Sequence, residues 1–222
     1  MESGTNGQSS PTRRRRPPVT ARGADKRARI LDAAGELLAA RGYAGTTLAD
    51  IAEAADTYAG SLYYHFESRE QLAIEVLRVG AEEAMAHTRG VVDALPESAT
   101  ARRRLEAAIR AHVEFLLDRS PAALASARTV GQLPRAVAEP LALVHREYGE
   151  LFSELFEAAA SEGSIDRSVD LSAARMLVLG AANWTAEWFK PDGSSTAEET
   201  AQLLCRLTFD GLGTGRRARK ST

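Results

Sequence analysis

Apolar residues recur at intervals of three and four along most of the chain, the spacing that places side chains on one face of an α-helix. Ala, Leu, Arg and Glu dominate the composition, and no alternation of apolar and polar residues lasts long enough to indicate a β-strand. The pattern therefore predicts an all-α protein of about nine helices.

The segment 45–69, GTTLADIAEAADTYAGSLYYHFESR, has the most distinctive pattern. The apolar positions of its first short helix share one face: Leu48, Ile51, Ala52 and Ala55. Leu62 and Phe66 form an i, i+4 apolar pair in a second short helix, and this pair can close onto that face. Small and aromatic residues occupy the other side of the second helix: Ala59, Gly60, Ser61, Tyr63, Tyr64 and His65.

Two features of this second helix favour contact with a ligand over burial in an ordinary helical hairpin. A glycine inside so short a helix costs about 1 kcal/mol relative to alanine, so Gly60 indicates close approach of the backbone to a ligand. A hairpin in a core would also leave the Tyr63, Tyr64 and His65 run unexplained. The segment therefore predicts a helix-turn-helix that enters a DNA major groove.

Capping residues delimit the other predicted helices. Their predicted positions are helix 1 from Asp25 to Gly42, helix 4 from a capping box of Ser68 and Gln71, helix 5 over about 100–118, helix 6 from Pro121, helix 7 over about 136–161 with Gly163 closing it, helix 8 from Asp170 to about Phe189, and helix 9 from Thr196 and Glu199 to Gly211. We divide the chain into a disordered basic arm (1–23), a helix-turn-helix domain (24–78), an effector-binding and dimerisation domain (79–212) and a basic tail (213–222).

Charge is segregated along the chain, whose formal net charge is −2 at pH 7. Residues 1–29 carry +6, residues 211–222 carry +4, and residues 30–210 carry −12. The domain 24–78 has six basic and nine acidic residues, so another part of the chain must attract DNA. We expect the Arg13–Arg16 run to reach a DNA backbone or minor groove, the alternative being a solvated tail.

No motif predicts an enzyme, a catalytic residue, a metal site or a cofactor. The chain lacks HExxH, GxSxG, a P-loop and paired cysteines. Cys205 is interpreted as a small buried residue at the interface, with a redox-sensing thiol as the alternative. The apolar stretch 173–189 is interrupted by Arg175, Asn183 and Glu187, which argues against a membrane span. With no apolar leader near Met1, the protein is expected to be cytoplasmic.

From Arg29 to Leu77 the sequence resembles the DNA-binding domain of TetR-type (tetracycline-repressor-like) transcriptional regulators. The matching positions are Ile30, Ala33, Ala34, Leu37, Gly42, Tyr43, Thr46, Thr47, Ile51, Ala52, Ala55, Gly60, Leu62, Tyr63, His65, Phe66, Ser68 and Leu72. The resemblance implies a homodimer that binds a palindromic double-stranded DNA operator, usually as a repressor. It implies DNA contacts from Thr47, Gly60, Ser61, Tyr63, Tyr64, His65 and Arg69.

The sequence departs from the family pattern at the turn. Asp56, Thr57 and Tyr58 stand where the family has Gly-Val-Ser. Asp tolerates the left-handed conformation that the usual Gly indicates. The loss of Ser removes a cap and a phosphate contact that Thr57 replaces only in part, and we add Tyr58 to the expected DNA contacts.

Predicted helices 8 and 9 carry more apolar surface than one core needs, which indicates an interface. In the resembled family these helices pack against their copies as a four-helix bundle. We therefore expect a dimer interface at Gly180, Trp188, Leu203, Leu204 and Leu207.

Three polar residues lie on apolar faces of helices 5, 7 and 8: His112, Tyr148 and Asn183. Each needs a buried partner, and together they predict either core hydrogen bonds or a cavity between helices 4, 5, 7 and 8. In the resembled family a small effector binds there, and we expect contacts from His112, Phe115, Tyr148, Phe152, Asn183 and Trp184.

The segment 183–193, NWTAEWFKPDG, resembles regulators of fatty-acid and sterol breakdown that sense acyl-CoA thioesters. That resemblance implies an acyl-CoA as the small apolar effector, whose phosphates would need cations at the mouth of the cavity. The candidate cations are Arg102, Arg103, Arg104, Arg128, Arg135 and Arg146. The alternative to a ligand-responsive regulator is a helical small-molecule-binding protein that has lost DNA binding through the changed turn.

Overall fold

The computed structural model describes residues 21–118, 120–129 and 133–212, with the side chains of 21–24 and 212 left out. The described residues form nine α-helices and no β-strand. The helices are α1 Ala21–Arg41, α2 Leu48–Ala54, α3 Ala59–His65, α4 Arg69–Asp93, α5 Ala101–Asp118, α6 Pro121–Thr129, α7 Arg135–Glu162, α8 Leu171–Trp188 and α9 Ala197–Leu212. The all-α prediction is confirmed.

Two predictions on the chain ends are affected by the described range. Helix α1 begins at Ala21, four residues before the predicted start at Asp25, so residues 21–23 are helical and the predicted boundary of the disordered arm is wrong. The Arg13–Arg16 run and the tail 213–222 lie outside the described residues.

Most helices begin and end as the sequence predicts. Thr196 and Glu199 form a complete capping box, and Asp170 accepts a hydrogen bond from the Ala173 N–H at 3.0 Å. Gly42 and Gly163 adopt the left-handed conformation after α1 and α7, with φ of 68° and 90°.

Only one of the two hydrogen bonds of the capping box predicted at the start of α4 is present. The Ser68 hydroxyl accepts from the Gln71 N–H at 3.1 Å, as predicted. The Gln71 side chain, however, accepts from the N–H of Glu67 rather than that of Ser68, at 2.5 Å.

The helix-turn-helix packs on α1 and on the first half of α4. Leu62 and Phe66 of the second short helix are buried against Ile51 and Ala52 of the first, as the periodicity predicts. This core does not end at residue 78, because it continues through Ala125 of α6 and through Val137 and Leu141 of α7. The helix-turn-helix domain is therefore packed directly on α6 and α7.

Helix α6 lies close against both α1 and α4. A Cβ atom at Gly80 would stand 2.2 Å from the carbonyl oxygen of Ala122, so only glycine allows this approach of α4 to α6. A second core, formed by α5, α7, α8 and α9, lies farther along the chain around Leu105, Phe152 and Phe156. No helix among the described residues is long and apolar enough to cross a membrane.

Candidate nucleic-acid interface and effector cavity

Helix α3 presents an exposed surface of aromatic side chains. Tyr63 is 61% exposed and Tyr64 is 71% exposed, while Leu62 between them and the core is fully buried. The face opposite the apolar pair is thus available for contact with a partner, as predicted. Gly60 lies on this exposed surface, and a Cβ atom there would meet no atom within 4 Å. Packing inside the chain therefore gives no reason for this glycine.

The turn before α3 has the conformation that the family's glycine would adopt. Asp56 has a φ of 48°, the one positive value at a non-glycine among the described residues. Tyr58 is the N-cap of α3, makes no side-chain capping bond and is 88% exposed. The Thr57 hydroxyl is buried without a hydrogen-bond partner, so it does not replace the cap. The predicted loss of the cap is thus found, but the prediction that Thr57 replaces it in part is wrong.

The remaining predicted DNA contacts differ in exposure and in the bonds they already make within the fold. Thr47 is exposed and caps α2 in a capping box with Asp50. Ser61 and His65 are half-buried, and burial, with the nearby charges of Lys26 and Arg27, lowers the pKa of His65. At neutral pH its ring is therefore an uncharged hydrogen-bonding group.

Arg69 is already engaged within the fold. Its guanidinium lies 4.1 Å from the centre of the Tyr43 ring and donates to the Tyr43 carbonyl oxygen at 3.0 Å. Its contact with DNA stays a prediction.

A second exposed apolar surface lies on α8 and α9. Six of the ten exposed large apolar side chains among the described residues are here: Met176, Leu177, Trp184, Trp188, Leu203 and Leu207. We call this set the α8–α9 face. It includes three residues of the expected interface, and Gly180 is exposed beside them. The expected interface residue Leu204 is instead half-buried and packs against the core, and Phe209 is buried within that core.

A cavity of about 310 Å³ lies inside the C-terminal part of the chain. We call it the effector cavity. Its lining comes from α4, α5, α6, α7 and α8: Gly80, Ala81, Ala84, His112, Leu116, Ala123, Ser126, Ala127, His145, Tyr148, Gly149, Phe152, Arg175, Met176, Leu179, Gly180 and Asn183. Four of the six predicted effector contacts are among these residues. Phe115 and Trp184 are not, because Phe115 stacks on His87 and Trp184 is 65% exposed on the α8–α9 face.

The three polar residues singled out from the sequence form one hydrogen-bond chain at the cavity wall. Nδ1 of His112 lies 2.8 Å from the Tyr148 hydroxyl, and Nε2 lies 3.1 Å from Oδ1 of Asn183. The hydroxyl of Thr88, which the sequence gave no reason to select, lies 2.8 Å from that of Tyr148. Both alternatives left open by the sequence are therefore true: the residues are partners of one another, and they border a cavity.

Burial fixes the direction of these hydrogen bonds. It lowers the pKa of His112 to about 4, partly offset by the Asn183 hydrogen bond, so the ring is neutral at pH 7. Because Oδ1 of Asn183 can only accept, Nε2 carries the proton and Nδ1 accepts from Tyr148. Tyr148 in turn accepts from Thr88, and burial raises its pKa, so it stays protonated. The chain is satisfied without any charge.

None of the six arginines predicted at the cavity mouth lines the cavity. Arg102 and Arg135 pair with glutamates one helical turn away, Arg104 caps carbonyl oxygens that include Pro96, and Arg103 and Arg146 lie elsewhere on the surface. Arg128 donates to the carbonyl oxygens of Ala39 in α1 and Ala186 in α8. The cation that does line the cavity is Arg175.

Comparisons with known proteins agree with this architecture. Residues 30–76 match the family model described as bacterial regulatory proteins, tetR family, and residues 98–212 match that of the tetracyclin repressor-like C-terminal domain. The HTH-type transcriptional repressor KstR2 of Rhodococcus jostii is 31% identical over 191 residues, covering 84% of this chain and 91% of the relative. The fatty acid metabolism regulator protein of Bacillus subtilis is 22% identical, covering 82% and 93%.

A solved structure of AibR in complex with isovaleryl coenzyme A and operator DNA is 27% identical and superposes with a TM-score of 0.73, covering 83% of this chain and 98% of that one. The Rhodococcus relative is named a transcriptional repressor and the Bacillus relative a regulator of metabolism. The helix-turn-helix, the helical C-terminal part and both family matches place this chain in the TetR family of bacterial transcriptional regulators.

Proposed function

We propose that this protein is a homodimeric repressor that binds a palindromic operator and is released from it by a small apolar effector, with an acyl-CoA thioester as the candidate. The observation that carries the proposal is the placement of its exposed large apolar side chains. Apart from Leu143, they lie at α3 and its N-cap or on the α8–α9 face, among the described residues. One surface suits DNA, and the other suits a second copy of the chain.

A two-fold dimer through the α8–α9 face would present two α3 helices to one duplex. Palindromic operators match such symmetry, with half-sites about one helical turn or a multiple of it apart. Tyr58, Tyr63 and Tyr64 have the exposure that contact with base edges and phosphates requires. These contacts would fix which operator is read.

The effector cavity is connected to the helix-turn-helix domain through shared helices. Helices α4 and α6 contribute both to the cavity lining and to the core that holds α2 and α3. Arg128 adds a polar link, since it bridges the C-terminal ends of α1 and α8. An effector acts only through different affinities for the two arrangements of these helices, one that fits the operator and one that does not.

Support for a thioester effector comes from the relatives and from the size of the site. AibR is named as a complex with isovaleryl coenzyme A, and one relative is named a fatty acid metabolism regulator. A cavity of about 310 Å³ is at the lower end of ligand sites, enough for an acyl group but not for a whole coenzyme. The nucleotide would then remain outside.

The test is operator release measured by fluorescence anisotropy. A duplex is first selected from a random pool by the wild-type protein, and isovaleryl-CoA, octanoyl-CoA, octanoate and free CoA are then titrated into the complex. We expect two chains per duplex and release by a thioester at concentrations where free CoA has no effect. Failure to select any sequence would reject DNA-dependent regulation and favour the small-molecule-binding alternative, whereas selection without release by either thioester would reject the acyl-CoA effector alone.

A further inference from the structure

Arg175 is a cation in the wall of the effector cavity that lacks a counter-charge. Its Nη1 donates only a long hydrogen bond, 3.5 Å, to the Gly149 carbonyl oxygen. Its Nε is buried without a hydrogen-bond partner. Among the ion pairs of the described residues, none includes Arg175. A half-buried guanidinium with unused donors is the exception in folded proteins and calls for an acceptor.

Helix α7, which faces Arg175 of α8, has a glycine at the point where the guanidinium lies. A Cβ atom at position 149 would stand 2.7 Å from Nη1 of Arg175, so any side chain larger than glycine would displace it. Gly149 lies inside the long helix α7, where glycine is unfavourable relative to alanine. The space that it leaves is occupied by the Arg175 head group, next to the cavity.

The other polar groups of the cavity are uncharged at neutral pH: Ser126, Tyr148 and Asn183, together with His112 and His145, whose pKa values burial lowers. Of these groups, Asn183 lies on α8 with Arg175. Arg175 and Asn183 are eight residues apart on this helix, about 12 Å along its axis, and Leu179 lines the cavity between them. Asn183 uses Oδ1 to accept from His112, and its NH₂ group has no partner among the described residues. The cavity therefore offers a cation at one end, an apolar middle and a neutral donor at the other end.

We infer that Arg175 binds an anionic oxygen group, carboxylate or phosphate, of an otherwise apolar effector whose carbon body lies along Leu179 toward Asn183. This inference rests on the proposed effector function and specifies the chemistry of its ligand. A guanidinium presents paired donors to such a group and stays charged in an apolar site. Hydrogen bonds to charged groups are the strong ones, and they gain further strength away from bulk water.

The experiment compares anionic probes with uncharged ones, using isothermal titration calorimetry on the full-length protein. Octanoate is matched with octanamide, and cyclohexanecarboxylate with cyclohexanecarboxamide, while octanoyl-CoA supplies phosphates instead of a carboxylate. The variants are Arg175→Gln, Arg175→Lys and, as the matched control, Arg146→Gln, an exposed arginine of α7 outside the cavity.

The wild type and Arg146→Gln should bind at least one anionic probe about tenfold or more tightly than the matched amide. Arg175→Gln should remove this preference, and Arg175→Lys should restore part of it. If the acids show the dependence, the anion is a carboxylate; if only octanoyl-CoA shows it, the anion is a phosphate. Equal affinity for anionic and uncharged probes in the wild type, or no binding of any anionic probe, octanoyl-CoA included, overturns the inference.

An unchanged preference in Arg175→Gln overturns it as well. If Arg175→Gln loses its cooperative thermal unfolding, the decision passes to Arg175→Lys: a reduced preference for the anion supports the inference, and an unchanged or abolished preference contradicts it. None of these results bears on operator selection by the wild type. Failure of the inference and failure of the proposed function are therefore distinguishable.

Discussion

The surface at α3 and the effector cavity use the same residue types in opposite ways. At α3 the tyrosines are exposed, make no hydrogen bond within the described residues, and are held by the burial of Leu62 and Phe66 beneath them. In the cavity Tyr148 is tied into a neutral chain with Thr88 and His112. The hydroxyl groups at α3 therefore stay available to a binding partner, whereas the polar groups at the cavity wall satisfy one another and can be buried. Substitutions should therefore change binding at the first and stability at the second.

The largest expected effect concerns the α8–α9 face, the proposed dimer interface through which two α3 helices would bind one duplex. Trp184→Glu or Leu207→Glu places a charge on this face and should produce a monomer, because a buried unpaired carboxylate is too costly for an interface. Operator affinity should fall by about three orders of magnitude, the usual gap between specific and non-specific binding. Sedimentation velocity and anisotropy measure the two effects.

The matched control is Leu143→Glu, which changes an exposed leucine of α7 outside that face. It should leave both the mass and the operator affinity as in the wild type. A dimer that persists in Trp184→Glu and Leu207→Glu would place the interface elsewhere.

The second effect concerns the positive charge that attracts DNA to the helix-turn-helix domain (24–78). Three of its six cations form ion pairs with carboxylates, Arg27 with Glu75, Arg41 with Asp50 and Arg78 with Glu82, so few are free for phosphates. If the Arg13–Arg16 run binds the backbone, deletion of residues 1–22 should flatten the slope of log affinity against log salt by about five units per dimer, for three contacts per chain. An unchanged slope would show that the run takes no part in binding.

The third effect is a pH dependence of the free energy of unfolding that arises from the cavity wall and not from the surface at α3. The folded His112 has a pKa of about 4, against 6.5 for an ordinary histidine, so the unfolded chain binds more protons between these values. The free energy of unfolding should therefore fall as the pH decreases from 6.5 to 4, with a His112 contribution of about 3 kcal/mol. Urea unfolding of the wild type and of His112→Gln at several pH values measures the difference, and parallel pH profiles would contradict it.

The part of the structure that follows from local rules could be predicted from the sequence. Periodicity placed Leu62 and Phe66 in the core, capping preferences placed Thr196 and Asp170 at helix starts, and the left-handed conformation of Asp56 followed from the glycine that it replaces. Polar residues on apolar stripes pointed to the hydrogen-bond chain for the same reason, since a buried donor needs a partner.

What could not be predicted depends on which helices meet. Thr88 looks like any polar residue of a long helix until α7 brings Tyr148 to it. Arg175 stood out in the sequence only as an interruption of an apolar stretch. Trp184 lies on a helix that is apolar on several sides, and periodicity does not say whether a side chain faces the cavity or the outside. The arginines proposed at the cavity mouth failed for two reasons: Arg102 and Arg135 pair with glutamates of their own helices, whereas the partners of Arg128 are set by tertiary contacts with α1 and α8.

The smallest expected effect concerns the turn between α2 and α3. Asp56→Gly should raise the free energy of unfolding by up to about 1 kcal/mol, because glycine adopts a positive φ without steric cost. The neighbouring change Ala55→Gly, at a φ of −82°, should lower it by about 1 kcal/mol. Thermal and urea unfolding test both, and a loss of stability in Asp56→Gly would show that the Asp56 side chain contributes more than its backbone strain costs.

The central claim is that the exposed face of α3 reads DNA, and operator affinity of Tyr63→Ala and His65→Ala tests it most directly. Each variant is compared with the wild type by anisotropy on the selected duplex, with melting temperature and sedimentation as checks on fold and dimer. We predict a loss of about 1–3 kcal/mol of binding free energy for each, roughly 5- to 150-fold, at unchanged melting temperature for Tyr63→Ala. Wild-type affinity in both variants would contradict the assignment of this face to DNA.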